Sequence, residues 1–257
     1  MPRGLGLLIY GTEGVGKTSF ALQFPKPLKC LSINEAGFID LADVGEIPEG
    51  AKNVEITSWP QLRSQLKTDC PEKTIVIDSG SGLQQLLFEH VTEAVYEGDT
   101  ESFLSYYKGP RMHCPQQASE LTMLFENLRA KEKNVLFLVH DTTEKVQNPR
   151  GIDYDTVDLE MDKGIRDVFK KWAQCILFMG LDPNIARITK SDKTRSPIEG
   201  KMQDDDIRIM FTTKSLVHSA KNKLHLPPVI PLGSSAPEAY KNFVSKLPPN
   251  FKEVLSG

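Results

Sequence analysis

Several things are scarce in this sequence, and each scarcity closes off a class of protein. No apolar run approaches the length needed to cross a bilayer, so no membrane span is expected. Met1-Pro2-Arg3-Gly4 leads straight into an apolar stretch, so no signal peptide is expected either. Charge of one sign is not in excess: 31 Lys and Arg face 34 Asp and Glu, a net charge of −3. No global basic field advertises nucleic acid, and any such site must be a local patch. The four cysteines, Cys30, Cys70, Cys114 and Cys175, are scattered without a C-x-x-C. That pattern reads as reduced thiols in the cytoplasm rather than a disulfide frame. His113-Cys114 has no partner pair, which argues against zinc. There is no internal repeat and no low-complexity block. What remains is an ordinary composition over 257 residues, enough for one large α/β domain with its own core.

The most informative stretch is Gly11-Thr12-Glu13-Gly14-Val15-Gly16-Lys17-Thr18, followed by Ser19. It fits G-x-x-x-x-G-K-[ST], a phosphate-binding loop. Gly11, Gly14 and Gly16 allow backbone angles that turn successive N–H groups inward onto phosphate oxygens. Lys17 would carry charge to the β- and γ-phosphates, and Thr18 a hydroxyl to Mg²⁺. The context fits: Leu5–Tyr10 reads as a buried strand, and Thr18–Phe24 as a short helix stopped by Pro25. A helix start also favours an anion. The loop is expected to be exposed, Lys17 included.

Further strands follow in order. Leu28–Ile33 runs into Asn34-Glu35-Ala36-Gly37, so Glu35 sits at a strand tip. It reads either as a water-polarising carboxylate or as a solvated turn residue. Thr74–Ser79 is an apolar, β-branched run ending in Asp78, the pattern of a buried parallel strand that aims a carboxylate at Mg²⁺. Asn134–His140 is another, and a polar residue at its carboxyl end faces the ligand crevice of an open sheet. His140 reads as a γ-phosphate sensor or as a core histidine. Ser58 is a helix N-cap, with Pro60 in the first turn. Leu83, Leu86, Leu87 and Val91 mark one amphipathic helix, Leu121, Leu124, Phe125 and Leu128 a second, and Ile165, Val168, Phe169 and Trp172 a third. Cys175–Met179 reads as a strand. Ile185–Thr189 and Ile207–Phe211 read as an antiparallel pair around a charged loop, Lys190 to Asp206.

Two stretches lack periodicity. Glu97–Gln117 interleaves Tyr106, Tyr107, Lys108 and Arg111, a composition suited to stacking on bases, or to a surface loop packed back on the core. Thr142–Met161 is polar and loop-like. From Arg208 to Lys223 there is no acidic residue, which leaves a local basic patch or a solvated lysine-rich face.

The ordered set of phosphate loop, Glu35 tip, Asp78 strand, His140 strand and Ala220-Lys221-Asn222-Lys223 resembles the RecA/Rad51-type ATPase core. It is similar above all to the short phage Sak4-like single-strand annealing ATPases. The resemblance implies a RecA-like α/β fold: a mostly parallel sheet flanked by helices, with an antiparallel extension near the C-terminus. The core would cover residues 1–232 and a helical tail 233–257. It implies ATP and Mg²⁺ as cofactors, Glu35 as the carboxylate that activates water, and His140 as the polar sensor. The two irregular stretches would bind single-stranded DNA, with Tyr106, Tyr107, Lys108 and Arg111 in the first and Lys145 and Arg150 in the second. Lys221 and Lys223 would reach a neighbouring subunit's γ-phosphate. Lysine stands at 223 where the group has arginine, keeping the charge but losing the planar fork. The expected partners are further copies of the chain, single-stranded DNA and a single-strand-binding protein. The alternatives are a nucleotide-gated assembly module and a hexameric helicase-type motor.

Overall fold

The computed structural model of the chain describes residues 3–67, 69–148, 151–181, 185–187, 200–202 and 208–256. The strands of its first half are β1 (Gly6–Gly11), β2 (Leu28–Ser32), β3 (Ala51–Glu55) and β4 (Thr74–Asp78). The second half adds β5 (Asn134–Val146), β6 (Tyr154–Leu159), β7 (Cys175–Leu181), β8 (Ile185–Arg187) and β9 (Gly200–Met202). The last three are β10 (Arg208–Phe211), β11 (Lys221–Asn222) and β12 (Val229–Gly233). The helices are α1 (Lys17–Ala21), α2 (Gly37–Asp43), α3 (Trp59–Gln65), α4 (Gly80–Tyr96), α5 (Thr100–Leu104), α6 (Cys114–Ala130), α7 (Lys163–Trp172), α8 (Ala236–Lys246) and α9 (Pro249–Ser256).

The parallel part of the sheet runs β7-β1-β5-β4-β2-β3. β10 and β12 extend it antiparallel beyond β7. Strands β1, β2 and β4 are buried along their whole length. That is why they read as unbroken apolar runs: helices cover both faces. Alternate residues then serve opposite cores. Leu8, Tyr10, Ile75, Ile77 and Phe137 pack with Leu83, Leu87, Phe125 and Phe169 from α4, α6 and α7. Leu7, Ile9, Val76, Leu138 and Leu177 pack with Phe20 after the phosphate loop and with Phe243 of α8. Phe20 and Phe243 meet edge to face at 5.6 Å, so the C-terminal helices close the same core that the first helix opens.

Ser58 caps α3 by accepting from Gln61 N, with proline in the first turn. The stop near Gly98 is met by Glu97 and Gly98, both at positive φ.

Three expectations are corrected. The polar stretch after His140 is not a loop: β5 continues to Val146 and β6 returns antiparallel to it. Charge replaces apolar burial there, since Arg166 of α7 bonds Glu144 at 2.5 Å and Lys170 pairs with Asp158 at 2.5 Å. Second, β8 pairs with β9 and not with β10. β10 lies in the main sheet because Ile209 and Met210 are buried there. Most of the loop 190–206, with residues 188, 189 and 207, falls outside the described residues. Third, the aperiodic stretch 97–117 contains α5 and the start of α6, joined by a 3₁₀ turn at Ser105–Tyr107 and a π-helical turn at Gly109–His113.

The end of the sheet opposite the phosphate loop is tied by buried charge. Lys29 on β2 and Glu72 before β4 are both almost wholly buried, 3.6 Å apart, and Lys52 on β3 meets the same carboxylate at 2.5 Å. Lys133 Nζ donates to the carbonyls of Cys70 and Glu72. Burial pushes the Glu72 carboxyl up, but Lys52, with Lys29 behind it, overrides this and holds it at about 2. Glu72→Ala therefore strands a buried ammonium and is expected to lower stability by about 3 kcal/mol in urea denaturation at pH 7. The folded carboxyl titrates below its unfolded value, so this stabilisation is present above about pH 4. The gap between wild type and variant should narrow as pH falls toward 2. A gap that stays constant would mean the loss is one of packing alone.

Candidate nucleotide site

β1 ends against β7 so closely that a Cβ on Gly11 would lie 2.0 Å from the Met179 carbonyl oxygen. Only glycine permits the chain to leave the sheet at this point. Gly14 and Gly16 take φ of 75° and 92°, the left-handed region open to glycine. Thr12, Glu13 and Gly14 are exposed, Ser19 is half-buried and Val15 packs inward. Lys17 is not exposed as expected, but buried. Its Nζ donates to the Gly11 and Thr12 carbonyls at 2.7 and 2.8 Å, because the start of α1 folds it back beneath the loop. Burial lowers its pKa, and Asp78 opposes the shift.

Thr18 follows on the same turn and donates its hydroxyl to Asp78 Oδ2 at 2.6 Å. Asp78 ends β4 beside Ser32 of β2 and Leu138 of β5 and is 3 % exposed. Burial pushes its carboxyl up to about 6, against the pull of the Thr18 hydroxyl.

The β2 tip is fixed to the same place. Ile33 N donates to the Asp78 carbonyl at 2.6 Å. A Cβ on Gly82 would stand 2.0 Å from the Ile33 carbonyl oxygen, so the first turn of α4 abuts the tip. Asn34 turns the chain at φ 51°, a conformation asparagine tolerates, and its amide donates to Gln85 Oε1 at 3.1 Å. The turn delivers Glu35 to His140, with Oε2 and Nε2 3.0 Å apart. His140 lies in register with Gly11 on β1. The hydrogen bond from His140 lowers the Glu35 pKa, and the same bond raises that of His140.

The carboxyl ends of β1, β2 and β4, with His140 of β5 level with Gly11, thus bring together a glycine loop, a lysine, a hydroxyl, a buried carboxylate and a carboxylate–imidazole pair. The chain belongs to the AAA_24 family. That family's AAA-domain profile matches residues 3–224. No curated protein matches the chain. As an AAA_24 member it is a P-loop ATPase-type domain, and nucleotide binding follows from that. Such loops usually take nucleotide with Mg²⁺. Thr18 Oγ1 and Asp78 Oδ2 fit the ion: both are hard oxygen donors, and the carboxylate is buried, with burial outweighing the pull of Thr18 and Lys17 on its charge. Among the described residues, no group of three or more His, Cys, Asp or Glu could hold a metal. Mg²⁺ needs none, since phosphates and water supply its other ligands. Among those residues, too, no helix is long and apolar enough to cross a membrane.

Other expected residues of this AAA_24 chain lie apart from the crevice. Lys221 on β11 pairs with Ile176, at the far end of β7 from Met179. Its Nζ donates to the Lys170 and Lys171 carbonyls at 2.8 and 3.0 Å, capping α7. Lys223 lies in a groove with Arg3, Lys171 and Trp172. Within one chain neither lysine meets the phosphate loop. Tyr106 and Tyr107 take φ of 51° and 57°, and Tyr106 is 93 % exposed. The Tyr107 hydroxyl donates to Asp162, and the Arg111 guanidinium lies 5.8 Å over its ring. Lys108 is exposed beside them. Lys145 is exposed on β5, while Arg150 lies outside the described residues.

Two site residues escape sequence reasoning. Ser79, the N-cap of α4, also hydrogen-bonds Glu35. Arg208, counted in the sequence only among the basic patch, sets its guanidinium against Gly16. No spacing rule links residue 208 to residue 16.

The Glu35–His140 pair has a signature. His140 should titrate above the usual ~6.5 and Glu35 below the usual ~4.3. Their mutual stabilisation is present between those two values, fading as pH rises through the His140 pKa or falls through that of Glu35. Glu35→Gln is expected to return the imidazole pKa toward ~6.5 in an NMR titration. An unchanged His140 titration would mean that Glu35 does not sense it.

Proposed function

We propose that this chain is a Mg²⁺-dependent ATPase of RecA-like kind that works on single-stranded DNA, promoting annealing or strand exchange. The observation that carries the catalytic half is the Glu35–His140 pair set beside the Thr18–Asp78 pair at one end of the sheet. On nucleotide binding, Lys17 exchanges the Gly11 and Thr12 carbonyls for phosphate oxygens. Thr18 and Asp78 would hold Mg²⁺, which when bound would supply charge neutralisation for the phosphates. Glu35 orients water for in-line attack and accepts its proton. His140 holds Glu35 in place and donates to the charge that develops beside it. Catalysis of this kind is positioning and charge stabilisation, with little covalent work for the protein.

The DNA half is supported by contacts that join the crevice to the exposed aromatics. Glu160 N donates to the His140 carbonyl, and Ser81 Oγ donates to the Glu160 carboxylate. Two residues on, Asp162 takes the Tyr107 hydroxyl. A nucleotide that shifts Glu35 and His140 therefore reaches the turn carrying Tyr106, Lys108 and Arg111. Exposed aromatics among cations suit stacking on unpaired bases. In this reading the chain self-associates, and Lys221 and Lys223 serve the neighbour's γ-phosphate, Lys221 after leaving the end of α7. A single-strand-binding protein is the natural co-partner, and the cytoplasm the setting.

A second reading keeps the nucleotide and drops the turnover. It is favoured by Lys17 and Glu35 both being held in internal bonds, as in a switch whose on-state needs ATP.

ATPase assays with and without single-stranded DNA separate these readings. Lys17→Ala should abolish nucleotide binding. Glu35→Gln should bind ATP yet turn over at least about 100-fold more slowly. Tyr106→Ala should keep basal turnover and weaken DNA binding by about tenfold. Hydrolysis with no salt-sensitive DNA binding would remove the DNA half. Nucleotide-dependent assembly with negligible turnover would favour the switch.

A further inference from the structure

Arg208 opens β10, a strand that pairs antiparallel with β7 and β12. Opposite Arg208 the register slips: it faces Gly233, while the next residue, Ile209, faces Pro231. The extra residue, Leu232, is on β12, and β10 itself keeps an unbroken register with β7. Met210 lies in the core formed with Phe20 and Phe243. By alternation Arg208 lies on that same face, the face of α1. Its guanidinium reaches the phosphate loop. Measured from where a Cβ on Gly16 would sit, Nη1, Cζ and Nε lie at 3.2, 3.3 and 3.7 Å. Near-equal distances from one point mean that the planar group lies face-on to the loop. The residue is half-buried, and one face of its guanidinium lies over Gly16.

The direction of a bound nucleotide follows from the other residues. Thr18, Asp78 and Glu35 fix the γ-phosphate end toward β4 and β2, about 10 and 14 Å to one side of β1 at the usual strand spacing. The nucleoside end must leave the loop the other way, across β7 and toward β10. There a flat cation is already in place. Guanidinium groups stack on aromatic rings as well as pairing with anions, and one held against backbone loses little freedom on binding.

We propose that Arg208 is a nucleotide-binding residue that stacks on the base of the bound nucleoside triphosphate, acting within its own chain. This rests on the nucleotide reading of the site and adds the residue that grips the nucleoside end. Isothermal titration with ATP, ADP and inorganic tripolyphosphate tests it on wild type, Arg208→Ala and Arg208→Lys. Arg208→Ala should weaken ATP and ADP about tenfold and leave tripolyphosphate within about twofold. Arg208→Lys keeps the charge without the plane and should recover only part of the loss. It carries the test should the alanine variant fail to fold. Unchanged ATP affinity in both variants overturns the proposal while leaving the ATP site standing. An equal loss for tripolyphosphate also overturns it, making Arg208 a general phosphate cation. Wild-type protein that binds none of the three takes down both readings.

Discussion

A carboxylate almost sealed from water, with a hydroxyl as its hydrogen-bond partner, is the constraint on which the site depends. Asp78 is 3 % exposed, and its buried charge is resisted strongly enough to raise its carboxyl to about 6. A fold that aimed only at stability would place an apolar residue at the end of β4, since an unpaired buried charge is costly. In the reading proposed above, a divalent cation would offset that cost, with the Thr18 hydroxyl, 2.6 Å from Asp78 Oδ2, as a second oxygen donor. A cation there would cancel the penalty, so binding and relief of strain in the charge distribution become one event.

Everything that positions Glu35 follows from the same strand. The Asp78 carbonyl takes Ile33 N, which pins the tip of β2, and Gly82 lets α4 press against that tip. Gly11 does the equivalent work on the other side, letting the phosphate loop lie against β7. These are close approaches of backbone to backbone: a methyl group at Gly82 would push α4 off the β2 tip, and one at Gly11 would push β1 away from β7. The chemistry is therefore set by main-chain packing around β4, and the polar side chains are carried along by it.

That division explains what the sequence made legible. Strands buried on both faces announce themselves as apolar runs, so β1, β2, β4 and the first half of β5 are readable from pattern alone, with Asp78 at the end of one run and His140 just past the other. Glu35 was readable as a position but not as a partner, because its bond to His140 spans 105 residues. The β5–β6 ribbon was misread as loop. Apart from Val157 and Leu159, which join the core, its residues are mostly polar, and much of its support is the ion network of Glu144, Asp158, Arg166 and Lys170. Lys17 was placed in solvent, where the motif gives no sign that a lysine folds under its own loop. Arg208 is not legible as a site residue, since strand order and not chain order brings β10 to within one strand of β1, across β7.

The misread ribbon changes how the basic segment should be understood. Tyr10, one residue before the phosphate loop, donates its hydroxyl to the Ser219 carbonyl at 2.6 Å. Val157 on β6 donates to the Val217 carbonyl, and Lys170 reaches both Asp158 and the Ser219 hydroxyl. Lys221, two residues further, caps the helix that carries Lys170. The segment 217–221 is thus held at once by β1, by the ribbon and by α7. A buried polar network of this kind is stable only when its members are satisfied together. Displacing the ribbon would loosen Ser219 and with it the bonds that keep Lys221 on α7. The lysine is held, then, by α7 directly and, through its covalent neighbours, by β1 and the ribbon.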